Sequence, residues 1–248
     1  MKIYKAFILI IFFILIALIY SACYTGNKSR NYKVINSNEQ IILADKSYSA
    51  SEIAKIYQPV IRANPKYEIQ KLLWTWYEVI DKSSYYEIVY YNCWENEINP
   101  DHTFDFLYKI YRALYFGYPI FDIEYFQVNI NKKTAKAESY LFETSINNDY
   151  NQKIIKHYIS KIKRISDTLF TNETYEKNGN KLISNNLLLK TTLNRVHLGI
   201  KTWNHLLCPI SEENEGTYNV IFDSELKELS AGDYEKYKFC RKSRNTNK

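Results

Sequence analysis

Apolar and polar residues alternate through the centre of the chain. From Lys71 to Ile80, Leu72, Trp74 and Trp76 fall on one side of a two-residue period, with Leu73, Tyr77 and Val79 on the other. That is the signature of a strand buried on both faces. Asp81 to Ser84 is turn chemistry, and Tyr85 to Trp94 is again rich in aromatic and β-branched residues, so the two runs form a hairpin. A sheet with two apolar faces is covered on both sides, by a second sheet or by helices. Phe121 to Ile130 continues as a strand, Asn131 to Lys133 turns, and Thr134 to Phe142 returns. Lys153 to Ile165 is read as another strand, although Ile154, Ile155, Tyr158, Ile159 and Ile162 would also suit a helix. In the polar segment Ser166 to Leu187, Asn178-Gly179 marks a hairpin, and a further strand lies around Arg195 to Thr202. Tyr32 to Leu43 holds a short strand.

Helical spacing is rarer. Ser49 and Glu52 form a capping box ahead of Ile53, Ile56 and Tyr57, giving a helix over Ala50 to Tyr57 that Pro59 stops. Asp101 is an N-cap for a helix running to Phe116, with Phe104, Leu107, Tyr108, Tyr111, Leu114 and Tyr115 on one core-facing stripe and Gly117 and Pro119 ending it. Ser230 caps a short helix with Asp233 in the box position, and a basic, disordered tail of residues 241–248 follows. The pattern adds up to an α+β fold, mainly antiparallel β, in which a sandwich-like sheet carries a few packed helices. Residues 32–240 read as a single globular domain.

Composition changes this picture little. Of 248 residues 46% are hydrophobic, enough for a sizeable core, and the 24 tyrosines suit strands. The formal charge of +6 falls to +4 once Lys2 and Lys5 are set aside, and its main local excess is Lys153 to Arg164. Such a thin spread, without any recognition signature, argues against nucleic acid as a partner.

The first 23 residues are more specific. Lys2 and Lys5 precede an unbroken apolar run from Ala6 to Tyr20, and Ser21-Ala22 supplies the small residues of a cleavage site before Cys23. This resembles a bacterial lipoprotein precursor, with residues 1–22 a signal peptide, Cys23 the lipidated first residue and 23–31 a polar tether. The resemblance implies acyl chains on Cys23 and a membrane-anchored protein of the cell envelope. Cleavage without lipidation, or an uncut leader near the ~20 residues a span needs, would also leave the rest outside the cytoplasmic membrane. In that oxidising setting Cys208 and Cys240 are the pair expected to form a disulfide, with Cys93 a buried small hydrophobe.

Candidate chemistry gathers at strand ends. Asp122 and Glu124 share a face with Phe126, Val128 and Ile130. If that face is the core, two carboxylates point inward and need protons, partners or a metal. Glu95 and Glu97 share a side at the exit of the strand ending at Trp94, and either is a solvated loop residue or part of the same site. His102 stands in the first turn of the helix from Asp101. His197 and His205 flank Thr202-Trp203-Asn204. The candidate site is therefore Glu97, His102, Asp122, Glu124 and His205. Asp122 and Glu124 are the candidate metal pair, and hard oxygen donors favour calcium, magnesium or manganese.

Ile88-Val89-Tyr90-Tyr91, a following Trp and acidic residues, then Asp122-Ile123-Glu124 resemble the order of motifs in necrosis-and-ethylene-inducing-like proteins. Phe121 and Ile123 stand where that family has His and Trp. The resemblance implies a β-sandwich and a divalent cation held by an Asp-x-Glu segment. No GxSxG, HExxH, P-loop or GxGxxG occurs. Two functions remain open: a non-enzymatic surface module that binds a glycan, an envelope component or a host protein, and a carboxylate- or His-dependent hydrolase acting on envelope polymers.

Overall fold

Ser49 begins the first helix as its spacing requires: its backbone N–H donates to Glu52 Oε2 at 2.7 Å, and Glu52 N donates to Ser49 Oγ at 3.2 Å. Helix α1 (Ala50–Tyr57) buries Ala50, Ile53, Ala54 and Tyr57. A computed structural model of the chain describes residues 33–67, 69–99, 101, 105–110, 121–147, 150, 152, 154–230 and 233. The chain separates into two compact units, Met1–Tyr32 and Lys33–Lys248. The leader, Cys23 and the tether lie outside the described residues, as do His102, Cys240 and the tail.

The larger sheet contains β1 (Lys33–Ile35), β5 (Leu72–Asp81), β6 (Tyr85–Trp94), β7 (Asp122–Asn131), β8 (Ala137–Thr144), β9 (Tyr158–Arg164), β10 (Leu169–Tyr175) and β11 (Lys181–Leu188), in that order. A late strand, β16 (Glu225–Glu228), pairs in parallel with β5. A smaller sheet is ordered β12 (Thr191–Thr192), β13 (Arg195–Ile200), β4 (Val60–Ala63) and β15 (Val220–Phe222), with β14 (Leu207–Pro209) on β13. Strands β2 (Gln40–Leu43) and β3 (Lys46–Ser49) form a hairpin leading into α1. The architecture is mainly antiparallel β, with two sheets and α1 around one core.

Period two assigns the faces. Rungs across β5, β6, β7 and β8 join Tyr77, Tyr90, Phe126 and Phe142, and the next rung toward the turns joins Val79, Ile88, Val128 and Tyr140. All eight belong to one hydrophobic cluster that also holds Ile53 and Tyr57 of α1 and Ile61, Val196, Leu198 and Ile200 of the smaller sheet. The opposite face is buried too, at Trp76, Val89, Tyr91 and Cys93. The sheet is thus covered on both sides, as its doubly apolar strands require.

Three expectations need correction. The turn after β7 extends to Ala135, because Asn131 Oδ1 accepts from both Lys133 N and Thr134 N, so β8 starts at Ala137 rather than Thr134. The segment from Lys153 becomes a strand only at Tyr158, and Ile154 is 73% exposed, which no helical core stripe would allow. Residues 105–110 are helical, but Leu107 is 60% exposed. Asp105 points inward there instead, accepting from Asn99 N at 3.1 Å. The rest of that expected helix lies outside the described residues.

Candidate functional site

The strand ends of β6, β7 and β8 and the start of β9 meet at one end of the larger sheet, and the aromatic rungs there give way to a polar one. Cross-strand register sets Thr75 beside Asn92 and Asn92 beside Glu124. Thr75 Oγ1 donates to Asn92 Oδ1 at 3.0 Å, and Asn92 Nδ2 has no partner among the described residues. The Val128 face is the core face, so Asp122 and Glu124 do point inward, 5% and 6% exposed.

A hairpin loop closes over this end. Lys201 N donates to Leu206 O at 2.9 Å, so the chain between β13 and β14 turns tightly through Thr202, Trp203 and Asn204. At its apex His205 adopts φ +59°, the left-handed region that side chains other than glycine rarely occupy. The ring is held on two sides. His205 Nδ1 lies 2.7 Å from Asp122 Oδ2, so the imidazole carries its proton on Nδ1 and donates it to the carboxylate. Trp94 stacks on the ring at 4.4 Å, with an interplanar angle of 3°. The carboxylate and the aromatic face together hold this loop residue in its left-handed conformation.

A second histidine stands beside the first. Thr202 Oγ1 accepts from Leu206 N and donates to Asn204 Oδ1, which leaves Asn204 Nδ2 to donate to His157 Nε2 at 3.1 Å. His157 thus lies between two polar partners, Asn204 at its Nε2 and Glu143 Oε2 at its Nδ1, the latter at 2.5 Å. Burial acts to raise the Glu143 pKa, but the His157 hydrogen bond and charge, with Lys177, outweigh it and hold the carboxyl below its ordinary value. Glu124 has no such help. Burial first, then the charges of Asp122, Glu143 and Glu97, push its carboxyl well above the ordinary range, with Lys177 opposing. The arrangement favours the neutral acid at Glu124 and a charged carboxylate at Glu143.

Glu97 belongs to this end as well. It is 5% exposed and accepts from the Tyr108 hydroxyl at 2.5 Å, so the solvated alternative holds for Glu95 but not for Glu97. Four of the five expected site residues, Glu97, Asp122, Glu124 and His205, therefore gather at one end of the sheet, and His102 lies outside the described residues. Sequence reasoning missed Glu143 and His157, while Asn204 stands in the segment between His197 and His205 that it had singled out. Glu143 falls on the less buried side of β8, and His157 lies in the segment where the strand began later than expected.

Asp122 and Glu124, the expected metal pair, lie side by side along the core face of β7. Asp122 gives an oxygen to His205, Glu124 favours the uncharged acid, and no group of three or more His, Cys, Asp or Glu among the described residues is placed to hold an ion. Cys208 is buried, its Sγ 3.3 Å from the Tyr218 hydroxyl, and the expected pairing with Cys240 lies outside the described residues. Cys93 is a free thiol with no exposed surface, and burial, then the Asp122 charge, raises its pKa to about 12.

No protein-family model matches the chain, and no curated protein or solved structure shows significant similarity to it.

Proposed function

We propose that the chain is an exported protein of the cell envelope, anchored by lipid at Cys23, whose folded domain is a non-enzymatic binding module for a glycan or for another envelope or host component. The observation that carries the non-enzymatic reading is burial. Glu97, Asp122, Glu124 and His205 are 5%, 5%, 6% and 1% exposed, so the acidic cluster fastens the 201–206 loop to the sheet rather than facing a substrate. Beside it the helix of residues 105–110 presents Phe106, Leu107 and Ile110 to solvent, 67%, 60% and 45% exposed. An apolar strip of this kind suits the face of a sugar ring or an apolar partner surface.

One observation favours the second reading, a hydrolase of envelope polymers. Asp122 orients His205 as a buried carboxylate orients a catalytic imidazole, and Glu124 in its acid form could serve as a proton donor. Cosedimentation of the purified domain with insoluble peptidoglycan and with immobilised glycans separates the two. Retention without release of soluble fragments, weakened by Phe106→Ala, is expected. Fragments released by the parent and not by Glu124→Gln would overturn the binding reading in favour of the hydrolase.

A further inference from the structure

The smaller sheet holds a second polar cluster, made of other residues than the acidic one. Strands β4 and β13 are parallel neighbours, with Leu198 opposite Ile61 and Gly199 opposite Arg62. Ile61, Ala63, Val196, Leu198 and Ile200 belong to the core, so alternation turns Arg62, Arg195 and His197 to the outer face. Lys190 joins them, since its carbonyl accepts from His197 N at 3.0 Å. The short turn Glu215–Thr217 brings one acid to this face. Glu215 Oε1 lies 3.5 Å from an Arg62 terminal nitrogen and Oε2 lies 3.1 Å from Lys190 Nζ. Two cations thus share one carboxylate, while Arg195 Nε donates to Gln58 O at 2.8 Å.

Two buried nitrogens inside the cluster have no partner among the described residues: Arg62 Nε, always a donor, and His197 Nδ1, a donor in the tautomer in which the Thr192 hydroxyl donates to Nε2. His197 is only 3% exposed, and Thr192 Oγ1 meets its Nε2 at 2.8 Å. Buried nitrogens in that condition are uncommon in folded proteins and call for an acceptor. The cluster is also reachable, because the Lys190 and Glu215 side chains are each 35% exposed.

We propose that this outer face is an oxyanion site, in which Arg62, Lys190, Arg195 and His197 take a phosphate- or sulfate-type group and Glu215 is the internal carboxylate that the ligand displaces. A guanidinium, an ammonium and an imidazole N–H around one point match the several acceptor oxygens of such a group, and a single carboxylate leaves them in excess. His197 reports on such binding. Burial, and then the charges of Arg62, Lys190 and Arg195, hold the His197 pKa down at about 4, with Glu215 opposing. An anion at this point offsets those charges and raises it.

The test is a titration of the full chain with inorganic phosphate and inorganic sulfate at constant ionic strength, with chloride as the control, followed by melting temperature and by the His197 ring resonances. Phosphate or sulfate is expected to give a saturable rise in Tm that chloride does not, and to move the His197 pKa upward by about one unit or more. Glu215→Gln, which removes the competing carboxylate, should tighten the response at least about threefold, and Lys190→Gln should weaken it about tenfold. Both changes lie at partly exposed side chains, so they keep the test decisive even if Arg62→Gln does not fold. No saturable response in Glu215→Gln, or equal affinity in the parent and Lys190→Gln, overturns the proposal. A response confined to phosphate identifies phosphorylated ligands as the source, and one shared with sulfate extends the site to sulfated ones.

Discussion

Glu124 is the residue at which charge and burial conflict most directly, and the conflict has a definite sign. Its folded pKa stands above the ~4.3 of an unfolded Glu. Between those two values the native state holds a proton that the unfolded chain has lost. Stability from this group is therefore present below about pH 4.3 and is lost as pH rises through the folded pKa. Glu124→Gln keeps the shape and cannot ionise, so its Tm relative to the parent should climb by a few degrees between about pH 5 and pH 8. A difference that stays flat across that range would mean that the carboxyl titrates alike in both states. His197 has the opposite sign. Its pKa is depressed to about 4, so its contribution is complete above the unfolded value near 6.5 and fades as pH falls from there toward 4. The inward placement of Asp122 and Glu124 was legible because alternation along one strand fixes a face. His205 was named beside them, but its bond to Asp122 and the pairing of His157 with Glu143 were not legible, because both histidines arrive from loops more than thirty residues downstream of Asp122 and no local pattern encodes that meeting.

At the scale of elements, legibility follows the range of the interactions that make each element. Strand β6 spans Tyr85–Trp94 and α1 spans Ala50–Tyr57, as the alternation and the capping box indicate, because both are written in neighbouring residues. Of the smaller sheet that reading found β13, around Arg195 to Thr202, but not its partners. Its strands β4 and β15 have four and three residues, and β4 pairs in parallel with β13 from more than a hundred positions away. What makes this sheet fit is a close approach that only its glycine permits. A Cβ on Gly199 would stand 2.7 Å from the Tyr218 ring, and that ring is tied to Cys208 through its hydroxyl. Gly199→Ala should therefore cost about 1–3 kcal/mol as overpacking, which lowers the Tm by several degrees. Trimming the ring should return much of the loss, so the double variant Gly199→Ala with Tyr218→Ala should be less destabilised than the two single changes together. Strict additivity in that cycle would place the cost in the backbone rather than in the ring.

The whole molecule combines a folded unit that begins at Lys33 with a leader whose chemistry is of another kind. Fold and anchoring should therefore respond to different mutations. If Cys23 carries the acyl chains, a labelled fatty acid fed to expressing cells will enter the parent and not Cys23→Ser, and the parent alone will partition into a detergent phase. Two acyl groups suffice for stable membrane attachment, at about 0.8 kcal/mol per buried methylene, so the loss should be close to complete. The Tm of the domain should be the same in both proteins, because the core seen among the described residues draws on positions from Ile35 onward. Label retained by the serine variant would refute lipidation at this position. A fall in Tm on Cys23→Ser would instead show that the leader contributes to the fold, and the separation between anchor and binding domain would then have to be abandoned.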